Sequence, residues 1–412
     1  MLENELASAK DAGQVLAQSS AAQRNAILTR MRDLIHANIA DILKANEADM
    51  AQAEESGLDE PRRNRLRLTA PKLESLCQGL GTVAQLPDPL GRGQRWTLPN
   101  GLVLEQVNVP LGVIGLIYES RPGVTIEAVS LALKSGNSIL LRGGREAQHS
   151  NQAIADLWQM ALSTTGLPQA GVQLLHDPDR RLARELMHLK GLDLLIPRGG
   201  TSLIRTVVEE ATVPVIETGV GNCHLYVDSQ ADVDMAVQIL LDGKMGNPSV
   251  CNALETVLVH QDVKDTFLLK AANTLTQHGV QWHGDDAVRA ILPQAIPATE
   301  EDWSSEYLGL HLAARVVPNL DVAIAHIRQY GTNHSESIVT NDYPTGQKFL
   351  AAVDAAVVYW NASTRFSDGN EFGLGAEVGI STQKLHARGP MGLTALTTMK
   401  TVAYGSGQTR DF

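Results

Sequence analysis

Residues 109–151 read VPLGVIGLIYESRPGVTIEAVSLALKSGNSILLRGGREAQHSN. The apolar run GVIGLIY has the length and β-branched content of a buried strand. A small-residue helix follows over 125–135, and SILLR supplies a second strand candidate. Strand, helix and strand in that order predict a parallel βαβ unit. Moving outward, a helix over 150–164 and the runs VQLL, LDLLIP and VPVIE continue the alternation. A second series spans about 223–360, with CHLYVD, LETVLVH, LAARVV, SIVT and AAVVYW as strands. Upstream, Ile27, Met31, Leu34, Ile35, Ile39, Ile42 and Leu43 recur at helical steps, so residues 1–85 read as helical. LPDPLGRG (86–93) breaks that pattern, and LPNG (98–101) reads as the turn of a hairpin.

The 412 residues are 43% apolar and 19% charged, enough for a large buried core divided among two or three domains. A formal charge of −12 without a basic stripe argues against nucleic acid or an anionic membrane as partner. The longest apolar stretch, 109–118, is too short to span a bilayer, and the polar N-terminal residues lack a secretion-signal layout. Three widely spaced cysteines fit neither a disulfide framework nor a zinc pattern. A soluble, reduced, cytoplasmic protein is expected.

The cysteines differ in context. Cys77 lies on an amphipathic helix pattern and Cys223 opens a strand, so both read as packed thiols. Cys251 lies in GKMGNPSVCNALE, a Gly/Pro/Asn loop running into a strand, where free N–H groups can favour a thiolate. It is the candidate nucleophile. No G-x-G-x-x-G follows a strand, since GLGAEVG (373–379) has the wrong spacing. The stretch HGVQWHGDDA (278–287) matches no common metal spacing and reads as a solvated loop, so no metal is expected.

Several ordered motifs resemble the aldehyde dehydrogenase superfamily. These are the 109–151 segment, PVIETGVGN around Glu217, Cys251 at 34 residues beyond it, and SSEYLG around Glu306. LLIPRGGTSLIR, TEEDWSSEYLGLHLAARVV and NASTRFSDGNEFGLGAEVGISTQKLHARGPMGL are similar to its γ-glutamyl phosphate reductase branch, in the free-standing form rather than fused to a kinase. The resemblance implies an α/β fold with two parallel-sheet domains and a small β oligomerisation flap. The cofactor-binding domain would take 1–94, 109–224 and 361–384, the catalytic domain 225–360, and the flap 95–108 with 385–412. A homo-oligomer built through that flap is expected.

It also implies NADPH-dependent reduction of L-glutamate 5-phosphate to the 5-semialdehyde in proline biosynthesis, through a thioacyl group on Cys251. Functional association with glutamate 5-kinase would follow. The alternative is a hydrolytic NAD(P)-dependent aldehyde dehydrogenase, with Glu217 activating water. For the oxyanion, the Cys251 N–H is joined by Ser120, which stands where oxidising relatives carry asparagine, or by Asn247. Cofactor contacts fall on Arg142, Arg145, Gly199, Gly200, Thr201 and Glu306, with Glu217 as a further candidate. Charge matching to the substrate suggests Arg121, Arg198 and Lys244 for phosphate, Ser363, Thr364 and Arg365 for the carboxylate, and Asp368 for the ammonium.

Overall fold

The computed structural model describes residues 2–91, 93–175 and 180–410. Its chain divides into two compact units: Met1–Glu217 with Gly373–Gly379 and Met391–Phe412, and Thr218–Phe372 with Ile380–Pro390.

The first unit opens with helices whose ends are written into the sequence. Ser20 and Gln23 form a capping box on Ala21–Ala37, and Thr69 caps Ala70–Gln85 with Pro71 in its first turn. The long apolar pattern through 27–43 is two helices, because Asn38 ends the first and opens Ile39–Glu55. Ile27, Met31, Leu34 and Ile35 are buried from one, Ile42 from the other.

The strands in chain order are β1 (Arg95–Thr97), β2 (Val103–Pro110), β3 (Val113–Tyr118), β4 (Ser138–Gly143), β5 (Val172–Leu174) and β6 (Leu194–Arg198). Strands β3 to β6 form a parallel sheet ordered β5-β4-β3-β6. The chain starts at β3, moves out to β5, then returns to the other side of β3. Such a reversal opens a crevice at the carboxyl ends of β3 and β6, where open α/β sheets bind ligands. VPVIE (213–217), expected as a strand, forms an isolated bridge between Val215 and Leu195 rather than a strand. Pro214 has no N–H to extend a ladder there.

The second unit holds β7 (Cys223–Val227), β8 (Leu254–His260), β9 (Gln281–Gly284), β10 (Ile296–Pro297), β11 (His311–Val317), β12 (Ser335–Val339) and β13 (Val357–Trp360). They make one sheet ordered β10-β9-β11-β8-β7-β12-β13, parallel throughout. Its two faces are covered by separate apolar clusters, one around Leu240, Phe267 and Leu275, the other around Ile324, Ile327 and Phe349. The stretch 278–287 is no solvated loop. Trp282 on β9 is buried, and Asp285 caps the helix Asp286–Ile291. A short pair, β14 (Ile380–Ser381) and β15 (Gly389–Pro390), belongs to this unit. Finally β16 (Thr397–Tyr404), in the first unit, lies antiparallel to β2, whose other edge carries β1 across the 98–101 turn.

Candidate active site

Cys251 sits on the loop between the helix Val233–Met245 and β8, at the amino-terminal edge of the seven-stranded sheet. It is partly exposed, whereas Cys77 and Cys223 are buried. Three contacts fix its backbone. Gly221 packs so closely that a Cβ there would lie 1.5 Å from the Cys251 carbonyl oxygen. The Cys223 thiol donates to that same oxygen at 3.2 Å, with His334 Nδ1 3.7 Å from its sulfur. Burial is the largest of the causes that push the Cys223 thiol well above its usual range, so it stays a donor.

Asn252 supplies the third fastening. Its Nδ2 donates to the carbonyls of Arg365 (3.2 Å) and Ser367 (2.9 Å). Its own carbonyl accepts from Thr364 Oγ1 at 2.7 Å, and its Oδ1 accepts from the Arg365 guanidinium. On the other side, Ser249 Oγ donates to the Leu308 carbonyl at 3.2 Å. Glu306 Oε1 accepts the Gly221 N–H at 2.8 Å. A partly exposed cysteine on a firmly held backbone is the arrangement a nucleophile needs.

The first unit carries the crevice predicted by its strand order. Gly200 precedes the helix Thr201–Glu210 and supplies no side-chain cap; its N–H is accepted by Glu119 Oε2 at 3.0 Å. Gly199 lies where a Cβ would meet Glu119 Oε2 at 2.5 Å. Arg142, the last residue but one of β4, is half-buried, and Arg145 is exposed on the next turn. Arg198 ends β6 half-buried, with a buried Nε that finds no partner among the described residues. Arg121 stands at the start of the helix Pro122–Lys134. It helps burial to lower the Lys72 ammonium.

The sequence matches the aldehyde dehydrogenase family over residues 2–290. It is 52% identical to the γ-glutamyl phosphate reductase of Moorella thermoacetica, across 98% of this chain and 97% of that protein. The enzyme of the same name from Enterococcus faecalis is 51% identical over the same shares. The crystal structure of γ-glutamyl phosphate reductase from Thermotoga maritima superposes with a TM-score of 0.96 at 44% identity, each chain covered in full. The chain belongs to the γ-glutamyl phosphate reductase branch of the aldehyde dehydrogenase family.

Within this family frame the geometry redistributes several expected roles. Ser120, expected as an oxyanion donor, has its N–H and hydroxyl both on Glu146 Oε1, at 2.6 and 2.7 Å. Its single hydroxyl proton is therefore committed, and the residue is buried at φ 43°. Lys244, expected on the substrate phosphate, is fully buried against Glu255 at 2.5 Å, out of reach of any ligand at the surface. Ser363 caps the Thr364–Phe366 turn and Thr364 holds Asn252, so neither hydroxyl proposed for the carboxylate faces solvent. Asp368 Oδ1 accepts the Asn370 N–H at 2.8 Å, which places it in a turn. Asn247 is exposed and its Oδ1 accepts the Ser249 N–H at 3.2 Å. The sequence reading missed Gly221, Cys223 and Asn252 as the shell of the nucleophile, and Glu119 and Glu146 in the crevice. Asn252 alone carried a signal, its place beside Cys251.

Proposed function

We propose that the chain reduces L-glutamate 5-phosphate to L-glutamate 5-semialdehyde with release of phosphate, using Cys251 as nucleophile and NADPH as reductant. The observation that carries this reading is Cys251 itself, a partly exposed residue clamped through its carbonyl and its neighbour Asn252. The Cys251 thiolate attacks the γ-carbonyl carbon, the C–O bond to phosphate breaks, and a thioester remains. The oxyanion passing through that step is received by the Cys251 N–H and by the amide of Asn247, whose oxygen is already turned to Ser249. Ser120 is not needed for it. When bound, NADPH supplies the hydride that the thioester carbonyl accepts. The Cys251 sulfur then leaves as thiolate, free for the next turnover.

The residues of the first unit fit a dinucleotide. Gly199 and Gly200 bring backbone to the crevice without side chains, and the helix Thr201–Glu210 offers its N-terminal N–H groups to phosphate. Glu119 already takes one of them, so phosphate binding there sets a carboxylate aside. Arg142 and Arg145 at the end of β4 give planar guanidiniums suited to an adenosine 2′-phosphate, favouring NADPH over NADH. Arg121 and Arg198 are the cations read as receiving the substrate phosphate, and Arg365 the one for its carboxylate. Because an acyl phosphate is short-lived, the reading includes a cytoplasmic enzyme working beside the kinase that makes it, glutamate 5-kinase.

The test is the reverse reaction on purified protein, with glutamate 5-semialdehyde and NADP, with and without phosphate, beside Cys251→Ala. NADPH formation that needs both phosphate and Cys251 is expected. Turnover without phosphate would instead make the chain a hydrolytic aldehyde dehydrogenase.

A further inference from the structure

Lys244 and Glu255 stand at the two ends of the loop that carries Cys251. Lys244 lies in the last turn of the helix Val233–Met245, and Glu255 is the second residue of β8. Both side chains are 0% exposed, with Nζ 2.5 Å from Oε2. The other carboxylate oxygen of Glu255 accepts the N–H of Leu308 at 3.2 Å. Leu308 is a non-glycine residue at φ 53°, so its backbone is held in a conformation it would not choose alone. Its carbonyl in turn takes the Ser249 hydroxyl, two residues before Cys251. The Lys244 ammonium lies 5.9 Å from the centroid of the Tyr307 ring. Two residues before Leu308, Glu306 holds Gly221 against the nucleophile's carbonyl.

We propose that the Lys244–Glu255 ion pair is a positioning device for catalysis, closing the base of the nucleophile loop and setting the 305–309 segment so that Glu306 can fix Gly221 against Cys251. The inference rests on the reading of Cys251 as nucleophile. Packing alone does not require charges at this place: a buried ion pair is commonly no more stabilising than well-packed apolar side chains of similar volume. Burial pushes the Glu255 carboxyl up to about 7, against the pull of Lys244, and lowers Lys244 as well. What apolar side chains cannot supply is an acceptor aimed at the Leu308 N–H and a cation at the Tyr307 face. Both groups act on the segment that carries Glu306, not on the substrate.

The experiment compares wild type, Lys244→Met/Glu255→Leu and Lys244→Met/Glu255→Gln. The first double variant removes charge and acceptor together, while the second removes the charges and keeps a carbonyl for Leu308. For each, Tm, kcat, KM and the rate of Cys251 alkylation by iodoacetamide are measured. A Tm lowered by no more than a few degrees is expected in the Met/Leu variant, from the lost Leu308 bond, with kcat lowered on the order of 100-fold, as for a nucleophile misplaced by about 1 Å. KM should change little, the alkylation rate should shift, and Met/Gln should recover most of kcat. Wild-type kcat and alkylation in Met/Leu would overturn the proposal, and so would a Met/Gln variant no better than Met/Leu. Should Met/Leu fail to fold, Lys244→Leu/Glu255→Met, equally without an acceptor for Leu308, takes its place and is judged by the same two rates against wild type and Met/Gln. Wild-type protein inactive on the semialdehyde would sink the proposed function instead, while the alkylation rates still judged the pair.

Discussion

Gly221 leaves no room for any other residue. A Cβ there would meet the backbone oxygen, carbon and Cα of Cys251 at 1.5, 2.4 and 2.8 Å, none of which is a flexible side-chain end. Gly221→Ala is therefore expected to push the nucleophile away and lower kcat on the order of 100-fold. Wild-type kcat in that variant, by steady-state assay, would show that the loop yields without cost. The three thiols should separate as cleanly. Burial pushes Cys77 up to about 11 and Cys223 well above its usual range, whereas Cys251 is partly exposed. One equivalent of iodoacetamide at pH 7.5 should label Cys251 alone, read by peptide mass mapping; labelling spread over two or more cysteines would contradict this. His326 gives a prediction in pH. It is buried beside His224 and Arg315, and burial with those charges holds it down to about 2. The unfolded chain binds a proton near 6.5 that the folded chain refuses, so stability falls as pH drops below that value. Between pH 7 and 5 this costs about 2 kcal/mol. Urea unfolding at both pH values should show the loss, smaller by that amount in His326→Gln.

The 361–369 loop shows how far motifs reach and where they stop. Its residue types suggested a binding loop, but what its backbone does is buttress Cys251 through Asn252, a pairing across more than a hundred residues that no local pattern encodes. Asn252→Ala removes the donor to two carbonyls and the acceptor for Arg365. It should lower the unfolding free energy by about 3 kcal/mol, given about 1 kcal/mol for each lost bond and more for groups left buried. Chemical denaturation measures the loss; a change below about 1 kcal/mol would mean the loop holds without Asn252. The alternating strands were legible because parallel strands buried on both faces read as continuous apolar runs. The nucleophile was legible because glycine, proline and asparagine mark its loop. Ser120 and Lys244 were not, since their side chains are committed to Glu146 and Glu255, one 26 residues and the other 11 residues away in sequence. Strand β9 hid because Gly279, Gly284 and Asp285 make its surroundings look like a loop, although Trp282 is buried. Sequence separates residue types well; it does not say which partner has already claimed them.

At the scale of the molecule, each unit closes its parallel sheet between covered faces, but the small antiparallel sheet does not close. Its order is β1-β2-β16, so β16 pairs with β2 on one side and with no strand among the described residues on the other. An eight-residue edge strand with unpaired N–H and C=O groups is a template for another chain. Met399 and Tyr404 on it are 67% and 51% exposed, and Trp96 on β1 is 39% exposed. Apolar side chains are more than a solitary edge would be expected to show, and the remedies that blunt an edge, proline or a run of lysines, are absent from TTMKTVAY apart from Lys400. A second copy of the chain is the occupant that the resemblance leads one to expect, by strand addition or by seating its own surface on this edge. Sedimentation velocity at micromolar concentration should then find the wild-type protein as a dimer or larger. Met399→Lys/Thr401→Lys places two like charges on the exposed strand without touching either unit's core, and should shift the protein to monomer with Tm changed by only a few degrees. A wild-type protein that sediments as monomer at tens of micromolar would remove the flap from the assembly and leave the edge exposed in solution.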